Sequence, residues 1–402
     1  MLGLLLKASM VARIPVEVLA AVLYSAILLA TMLLLFHLTR RWTGSRIFAT
    51  IACCLILLEP AYYANGVGQN FFFYEFPLQL VLLALVGAAW THDRTPSWKS
   101  ALAVVLLIAT ASNLRSIFHP IVFGLVCLVW QLLIPRRIPW RQTVALLTLG
   151  AALLLGWPVK NWLLFGAFTA SSVDGFNMAR ELANLPKPFS KYMNEGTVPP
   201  DIDVRKQFPA LRNFSDESLL PITRTAKPTG ERTWNHYMML VSRSETMARG
   251  LKARDVSSVP PHMKQMYWYT MRPMYVEPYE LTSFGPEFRP LSGYLRVYDA
   301  VFYQNFGTPK RSRTLYGMVW FPLLVTGIIF RLALVSDNRR TFALLACLML
   351  FPLAVIIATD GVEGNRMRFN VYPLTVLIAC ILTHDFIQAI QRRWLAYSSP
   401  RA

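Results

Sequence analysis

Residues 16–44 read VEVLAAVLYSAILLATMLLLFHLTRRWTG. Between Val16 and Leu38 the charged residue is Glu17, at the very start, and Arg40 and Arg41 close the apolar run. A membrane-spanning helix needs about 20 predominantly apolar residues, and this stretch is long enough. Eight further segments follow: Ile47 to Ala64, Phe71 to Trp90, Ala101 to Ser116, Ile117 to Leu133, Thr143 to Trp157, Tyr316 to Leu334, Phe342 to Thr359 and Val371 to Ala389. The fourth, fifth and sixth are short by the same measure. The fourth and fifth read as a tight helical pair turning near Arg115 and Pro120. Composition agrees, with 54% of the 402 residues hydrophobic, 15% charged and a mean hydropathy of +0.39. A disordered chain has less apolar content and more charge, and a soluble one rarely carries apolar runs of this length. The expected fold is an all-α polytopic membrane protein of about nine transmembrane helices. Residues 1–165 hold helices one to six. Residues 166–314 form a large outer insert of mixed or irregular structure with interfacial segments, and residues 315–402 hold helices seven to nine and a tail.

The formal net charge of +18, from 40 Lys and Arg against 22 Asp and Glu, needs a reading. One set of loops carries Arg40, Arg41, Arg46, Arg94, Lys99, Arg136, Arg137, Arg141, Arg339, Arg340, Arg392, Arg393 and Arg401, thirteen in all. The opposite set of short loops carries only Arg115, Arg366 and Arg368. Lys and Arg accumulate on the cytoplasmic side because their translocation is disfavoured, so the thirteen-residue face and the carboxyl terminus are expected there. By alternation the insert lies outside. A nucleic-acid partner is not expected, because topology already accounts for the cytoplasmic basic residues and a translocated loop rarely meets nucleic acid. Nine spans ending inside also require an amino terminus that begins outside. Met1 to Ile14 contain Lys7 and Arg13 and no secretory cleavage pattern. Either these two charges are too few to hold the terminus inside, or an upstream span and loop are missing from this sequence.

The five cysteines, Cys53, Cys54, Cys127, Cys347 and Cys380, all fall in apolar spans, so the insert has no disulfide framework. The six histidines show no metal-ligand spacing, and no phosphate loop, nucleotide fingerprint or nucleophile elbow occurs. ATP-driven transport and soluble-type hydrolase chemistry have no support. Glu17, Glu59, Glu75, Arg115, Arg331 and Asp385 lie near span ends rather than at mid-membrane, where a proton-coupled carrier would place an acid.

Three stretches converge on the outer surface: Asn113-Leu114-Arg115-Ser116 with His119 and Pro120, Gly156-Trp157-Pro158-Val159-Lys160-Asn161-Trp162, and Glu363-Gly364-Asn365-Arg366-Met367-Arg368-Phe369. Each sets a cation at headgroup height, where a guanidinium holds phosphate through paired donors and an ammonium acts as a point charge. The plain alternative is snorkelling to lipid headgroups. Between Tyr267 and Phe306 there are twelve aromatics, among them Tyr267, Trp268, Tyr298, Phe302 and Tyr303, interleaved with Arg272, Arg289 and Arg296. They read as an interfacial lid or, more sharply, as a stacking platform for sugars.

The membrane portion resembles the polyprenyl-phosphate-sugar-dependent glycosyltransferases of the GT-C type, of mannosyl- and aminoarabinosyltransferase kind. Leu35 to Ala64, with its turn Arg40-Arg41-Trp42-Thr43-Gly44, is similar to the family's span, basic turn and return span. Pro158-Val159-Lys160-Asn161, followed by Phe165-Gly166 and Gly175-Phe176-Asn177, resembles its Pro-Trp-x-x-Arg-Asn segment. Arg366-Met367-Arg368-Phe369 through Pro373 resembles the approach to its last span. Asn177 to Leu291 matches nothing in that pattern. Lys160 stands where the family has Arg, keeping the charge without the bidentate fork. Met1-Leu2-Gly3-Leu4-Leu5-Leu6 looks like the tail of the family's first outer loop, so the first span and the catalytic acid are expected to be missing from this chain.

The resemblance implies sugar transfer from a polyprenyl-phosphate donor to a glycan, lipid or protein acceptor, at the outer face of a bacterial inner membrane with the insert periplasmic. Its candidates for the lipid phosphate are Arg115, Lys160, Asn161, Arg366 and Arg368. The catalytic base is unassigned: Glu75, Asp360 and Glu363 lie near the outer face but serve equally as helix-end or salt-bridging acids. No cofactor is expected, and the sequence supports no divalent-metal site. A lipid-linked glycan polymerase or ligase, and a non-catalytic membrane carrier or partner protein, are the alternatives.

Overall fold

A computed structural model describes residues 9–62, 75–114, 120–132, 138–165, 259–272, 289–304, 313–359 and 368–398, the strand residues 224–226 and 232–234, and positions 7, 118 and 168. Its helices are α1 Val16–Thr43, α2 Arg46–Leu57, α3 Glu75–Arg94, α4 Trp98–Leu114, α5 Val126–Leu132, α6 Trp140–Phe165, α7 Val259–Thr270, α8 Arg289–Tyr298, α9 Phe321–Leu334, α10 Arg339–Thr359 and α11 Tyr372–Ser398. π-Helical turns at Pro120–Leu125 and Tyr316–Trp320 lead into α5 and α9, and a third, Asp299–Tyr303, extends α8. In the insert, β1 Arg224–Ala226 pairs antiparallel with β2 Arg232–Trp234, Thr225 opposite Thr233.

Six helices are long and apolar enough to cross a membrane, in α1, α3, α6, α10, α11 and the stretch Tyr316–Leu334, which makes this a multi-pass integral membrane protein. Nine spans are expected from the sequence. The other three correspond to shorter apolar helices, Arg46–Leu57, Trp98–Leu114 and Phe123–Leu132. Several boundaries differ from the expectation, α11 for one running to Ser398 rather than Ala389. α2 ends at Leu57 rather than Ala64, which puts Glu59 in the break beyond the helix, with helical backbone resuming at Pro60. α6 is not short: it starts at Trp140 and runs through Pro158. Proline removes one helical hydrogen bond, a loss that spanning helices accommodate by local adjustment.

Local chemistry sets the first hairpin. Val18, Val22, Leu29 and Leu33 are exposed along α1, while Leu35 and Leu38 are buried. Their spacing of four and seven residues lines one helical face, as a lipid-facing stripe does. α1 stops at Gly44, whose φ of 68° is the left-handed conformation that ends helices, and whose N–H reaches Arg40 O at 2.8 Å. Ser45 then caps α2, its Oγ accepting from the Phe48 N–H at 3.4 Å.

α3 is the hub, packed against α1, α4, α10 and α11. Lipid is as apolar as leucine, so helices in a membrane associate through close packing rather than hydrophobic exclusion. Gly150 of α6 shows this: a Cβ there would stand 2.6 Å from Leu128 Cδ1 and 3.2 Å from Val105 Cγ1.

The turns carrying the basic residues gather at one end and are tied together there. Arg94 Nη2 donates to Asn338 Oδ1 at 2.9 Å. Arg340 lies 3.6 Å from Asp93 Oδ1 and donates to the Trp130 carbonyl at 2.6 Å. Arg331 Nε is 2.8 Å from Asp385 Oδ2, with its guanidinium over Phe342 and Trp42. At the opposite end the insert docks. α7 packs on α10, Tyr267 Oη donates to Gly317 O at 2.5 Å, and Thr314 Oγ1 donates to Met271 O at 2.7 Å.

Candidate functional site

The end opposite the basic turns holds buried acids at Glu59 and at Glu75, the latter at the start of α3 and 0% exposed, and a buried cation at Arg368. Glu59, in the break after α2, is 0% exposed, and Arg368, on the approach to α11, is 2% exposed. Burying an uncompensated charge costs several kcal/mol, on the order of ~3–5, so each needs partners. Among the described residues they do not pair with one another. Glu59 Oε1 accepts from the Ala61 N–H at 3.2 Å, and Glu59 Oε2 accepts a short bond from Tyr298 Oη. Arg368 Nη2 donates to the Arg272 carbonyl at 2.7 Å and to Tyr303 Oη at 2.8 Å, while its guanidinium lies 4.1 Å from the Tyr316 ring centroid. Such a desolvated cation–π contact stabilises by roughly 2 kcal/mol. Tyr298 and Tyr303 belong to one continuous segment, α8 and its π-helical extension, so a single piece of the insert reaches both ions.

A polar belt of the bundle itself surrounds this pair. Tyr24 Oη donates to Tyr62 O at 2.7 Å, Tyr62 Oη to Gln79 Oε1 at 2.9 Å, and Gln79 Nε2 to Phe369 O at 2.7 Å. These bonds join α1, the short helical stretch at residues 60–62 after α2, α3 and the approach to α11. Rings fill the space between: Phe369 packs edge-on to Tyr62 at 4.8 Å and to Phe76 at 5.5 Å. Tyr303 stacks on Tyr316 at 5.4 Å.

The electrostatics follow from burial. Burial pushes the Glu59 carboxyl up to about 7, against the lowering pull of the Tyr298 hydroxyl, the Ala61 N–H and the Arg368 charge. Burial, and then the Glu59 charge, push the Tyr298 phenol up as well, so Tyr298 keeps its proton and donates. The arrangement provides a carboxylate that accepts a hydroxyl proton, and a guanidinium whose Nε has no partner among the described residues.

Comparison with known proteins gives no family model, curated protein or solved structure that matches the chain.

The sequence candidates are distributed unevenly around this site. Lys160 is exposed near the end of α6, its Nζ 3.9 Å from the Trp157 ring centroid. Trp157 and Trp162 are half-exposed beside it, as rings at a membrane interface are. Asn161 follows in the same helix. Arg368 is buried among protein side chains, 2% exposed. Arg115 and Arg366 lie outside the described residues, as do Asp360 and Glu363. Among the described residues, no group of His, Cys, Asp and Glu side chains is arranged to hold a metal ion. Of the insert aromatics, Tyr267, Trp268, Tyr298, Phe302 and Tyr303 pack against one another or against the start of the Tyr316–Leu334 span, which fits a lid more closely than an open platform. The contact of Glu59 with Tyr298 was not expected from the sequence. The available signal was an acid followed by proline at the end of an apolar run, opposite a tyrosine-rich insert.

Proposed function

We propose that the chain is the membrane body of a glycosyltransferase that moves a sugar from a polyprenyl-phosphate carrier to an acceptor at the face opposite the arginine-rich turns. On this reading that face is the periplasmic side of a bacterial inner membrane. The observation that carries it is the buried Glu59 and Arg368 pair beneath an insert segment at the end of a multi-pass bundle. Transfer from a lipid phosphate needs a base for the acceptor hydroxyl and cations for the leaving phosphate, and this end of the bundle offers both types of group. Lys160, exposed with its Nζ over the Trp157 ring, supports this reading as a cation for the lipid phosphate. Arg115 and Arg366 join it from the sequence pattern, and Asn161 adds a neutral donor. The donor is a polyprenyl-phosphate sugar, and the acceptor a glycan, lipid or protein hydroxyl.

The test is transfer from a polyprenyl-phosphate sugar by the purified full chain in lipid nanodiscs. Lys160→Ala and Arg366→Ala each should lower kcat/KM at least about tenfold, the scale of one lost charge-assisted phosphate contact. Wild-type rates and donor affinity in both variants would remove these residues from the phosphate role. Sugar-lipid flux across vesicles without any glycosyl transfer would replace the enzyme reading by a carrier.

A further inference from the structure

Two opposite charges buried a short way apart ordinarily pair with each other, because mutual attraction is the simplest compensation for lost hydration. Glu59 and Arg368 do otherwise. Glu59 is met by the Tyr298 hydroxyl and Arg368 by the Tyr303 hydroxyl, and both tyrosines come from residues 289–303 of the insert. One face of that segment is open to the outside. Arg296, Val297 and Val301 on it face outward, and its outer surface leaves Gly293 in open space. Inward it contributes Leu295, the two tyrosine rings with their hydroxyls, and the partly buried Tyr294 and Phe302 rings. Arg368 meanwhile has an unpartnered Nε at 2% exposure, a donor that the segment leaves unmet.

We infer that residues 289–303 are a displaceable cover whose two hydroxyls occupy the places of substrate atoms. Tyr298 Oη stands where an acceptor hydroxyl meets Glu59, and Tyr303 Oη stands where a phosphate oxygen meets Arg368. The inference rests on the transferase reading and deepens it by naming the base and the closed state. With the cover displaced, Arg368 presents Nη2 and the unmet Nε side by side, the fork that takes two oxygens of one phosphate. In the transfer step the acceptor O–H passes its proton to the Glu59 carboxylate, and the acceptor oxygen forms the new bond to the anomeric carbon. The bond from that carbon to the phosphate oxygen breaks, and its electron pair leaves on the polyprenyl phosphate held by Arg368. The two substrates together restore the hydrogen bonds that the cover gives up.

Affinity for a ligand that binds only the uncovered state scales with the fraction uncovered. Removing the Tyr303 hydroxyl, while keeping the ring that stacks on Tyr316, therefore should tighten binding of polyprenyl phosphate by about tenfold, the scale of one charge-assisted hydrogen bond. The measurement is equilibrium binding of polyprenyl phosphate to the full chain in phosphatidylcholine nanodiscs, with polyprenol as the uncharged control and phosphatidylglycerol as competitor. Tyr303→Phe should tighten the phosphate and leave polyprenol unchanged. Arg368→Gln should weaken the phosphate at least about tenfold, and Arg368→Lys serves if that variant does not fold. Glu59→Gln should keep donor affinity and lower the transfer rate. Unchanged or weaker phosphate binding in Tyr303→Phe, equal tightening of polyprenol, or displacement by phosphatidylglycerol at equal concentration would each overturn the cover. Charge-dependent, Tyr303-sensitive binding without transfer would refute the transferase reading and leave the site standing. Transfer that persists unchanged in Glu59→Gln would refute the base.

Discussion

Tyr298→Phe isolates one hydroxyl. The ring keeps its packing, since Phe302 lies 4.8 Å away and Tyr294 6.0 Å away by centroid, and neither contact uses the phenol oxygen. What is lost is the bond to Glu59 and the contact with the Tyr372 hydroxyl, while Glu59 keeps the Ala61 N–H and Tyr372 as hydrogen-bond partners. Hydrogen bonds to a charged group are worth about 1.5–3 kcal/mol, against about 1 kcal/mol between neutral partners. At about pH 8, above the Glu59 value of about 7, the carboxylate is mostly ionised and the loss is about 2 kcal/mol. With about 1.4 kcal/mol per tenfold, local opening of residues 289–303 becomes about 30-fold more frequent. At about pH 5 the carboxyl is protonated, and the factor falls to about fivefold. Amide hydrogen exchange of the full chain in nanodiscs reads this directly, because exchange under fast reclosing tracks the opening equilibrium. Faster exchange should be confined to residues 289–303, with α3 and α10 unaffected. Exchange within threefold of wild type at about pH 8, or an equal acceleration throughout the bundle, would show that the Glu59 bond does not hold the segment and refute the argument.

Two other outcomes follow from the same geometry. Glu59 carries a raised value, about 7 against an ordinary 4.5, so the folded protein holds a proton that the unfolded chain releases. Its contribution to stability is then fullest below the ordinary value and is lost as pH rises through about 7. The thermal midpoint in detergent should decline between about pH 5 and about pH 8, and Glu59→Gln should flatten that decline. At the arginine-rich end, Arg331→Ala strands Asp385, which is itself partly exposed. It should lower stability by about 3 kcal/mol, the lower end for a broken buried pair. Replacing both residues with leucine should recover most of that in a detergent thermal-shift series, and a double variant as unstable as the single one would assign the loss to packing over Trp42 and Phe342.

Much of the architecture was legible because a bilayer imposes its thickness on the chain. The run from Val16 and those beginning at Tyr316 and Phe342 are found again as helices long enough to span. The short spans were harder. α2 ends at Leu57 although apolar residues continue beyond it, because Glu59 accepts the Ala61 N–H and Tyr62 turns its hydroxyl to Gln79. Hydropathy counts apolar residues and is blind to such bonds. Lys160 and its tryptophans were legible at the end of α6 by the same logic of interface chemistry. Arg368 was legible as a cation but not as a buried one.

The sequence by itself determined that this is a multi-pass membrane protein with basic turns, because length and apolarity are properties of contiguous residues. Only the tertiary structure decided which polar groups meet. Glu59 and Tyr298 are 239 residues apart, and Gln79 and Phe369 are 290 apart. No local pattern encodes those encounters. They arise because α2, α3, α8 and α11 must pack at one end of the bundle, and a buried charge there takes whatever hydroxyl the packing brings to it.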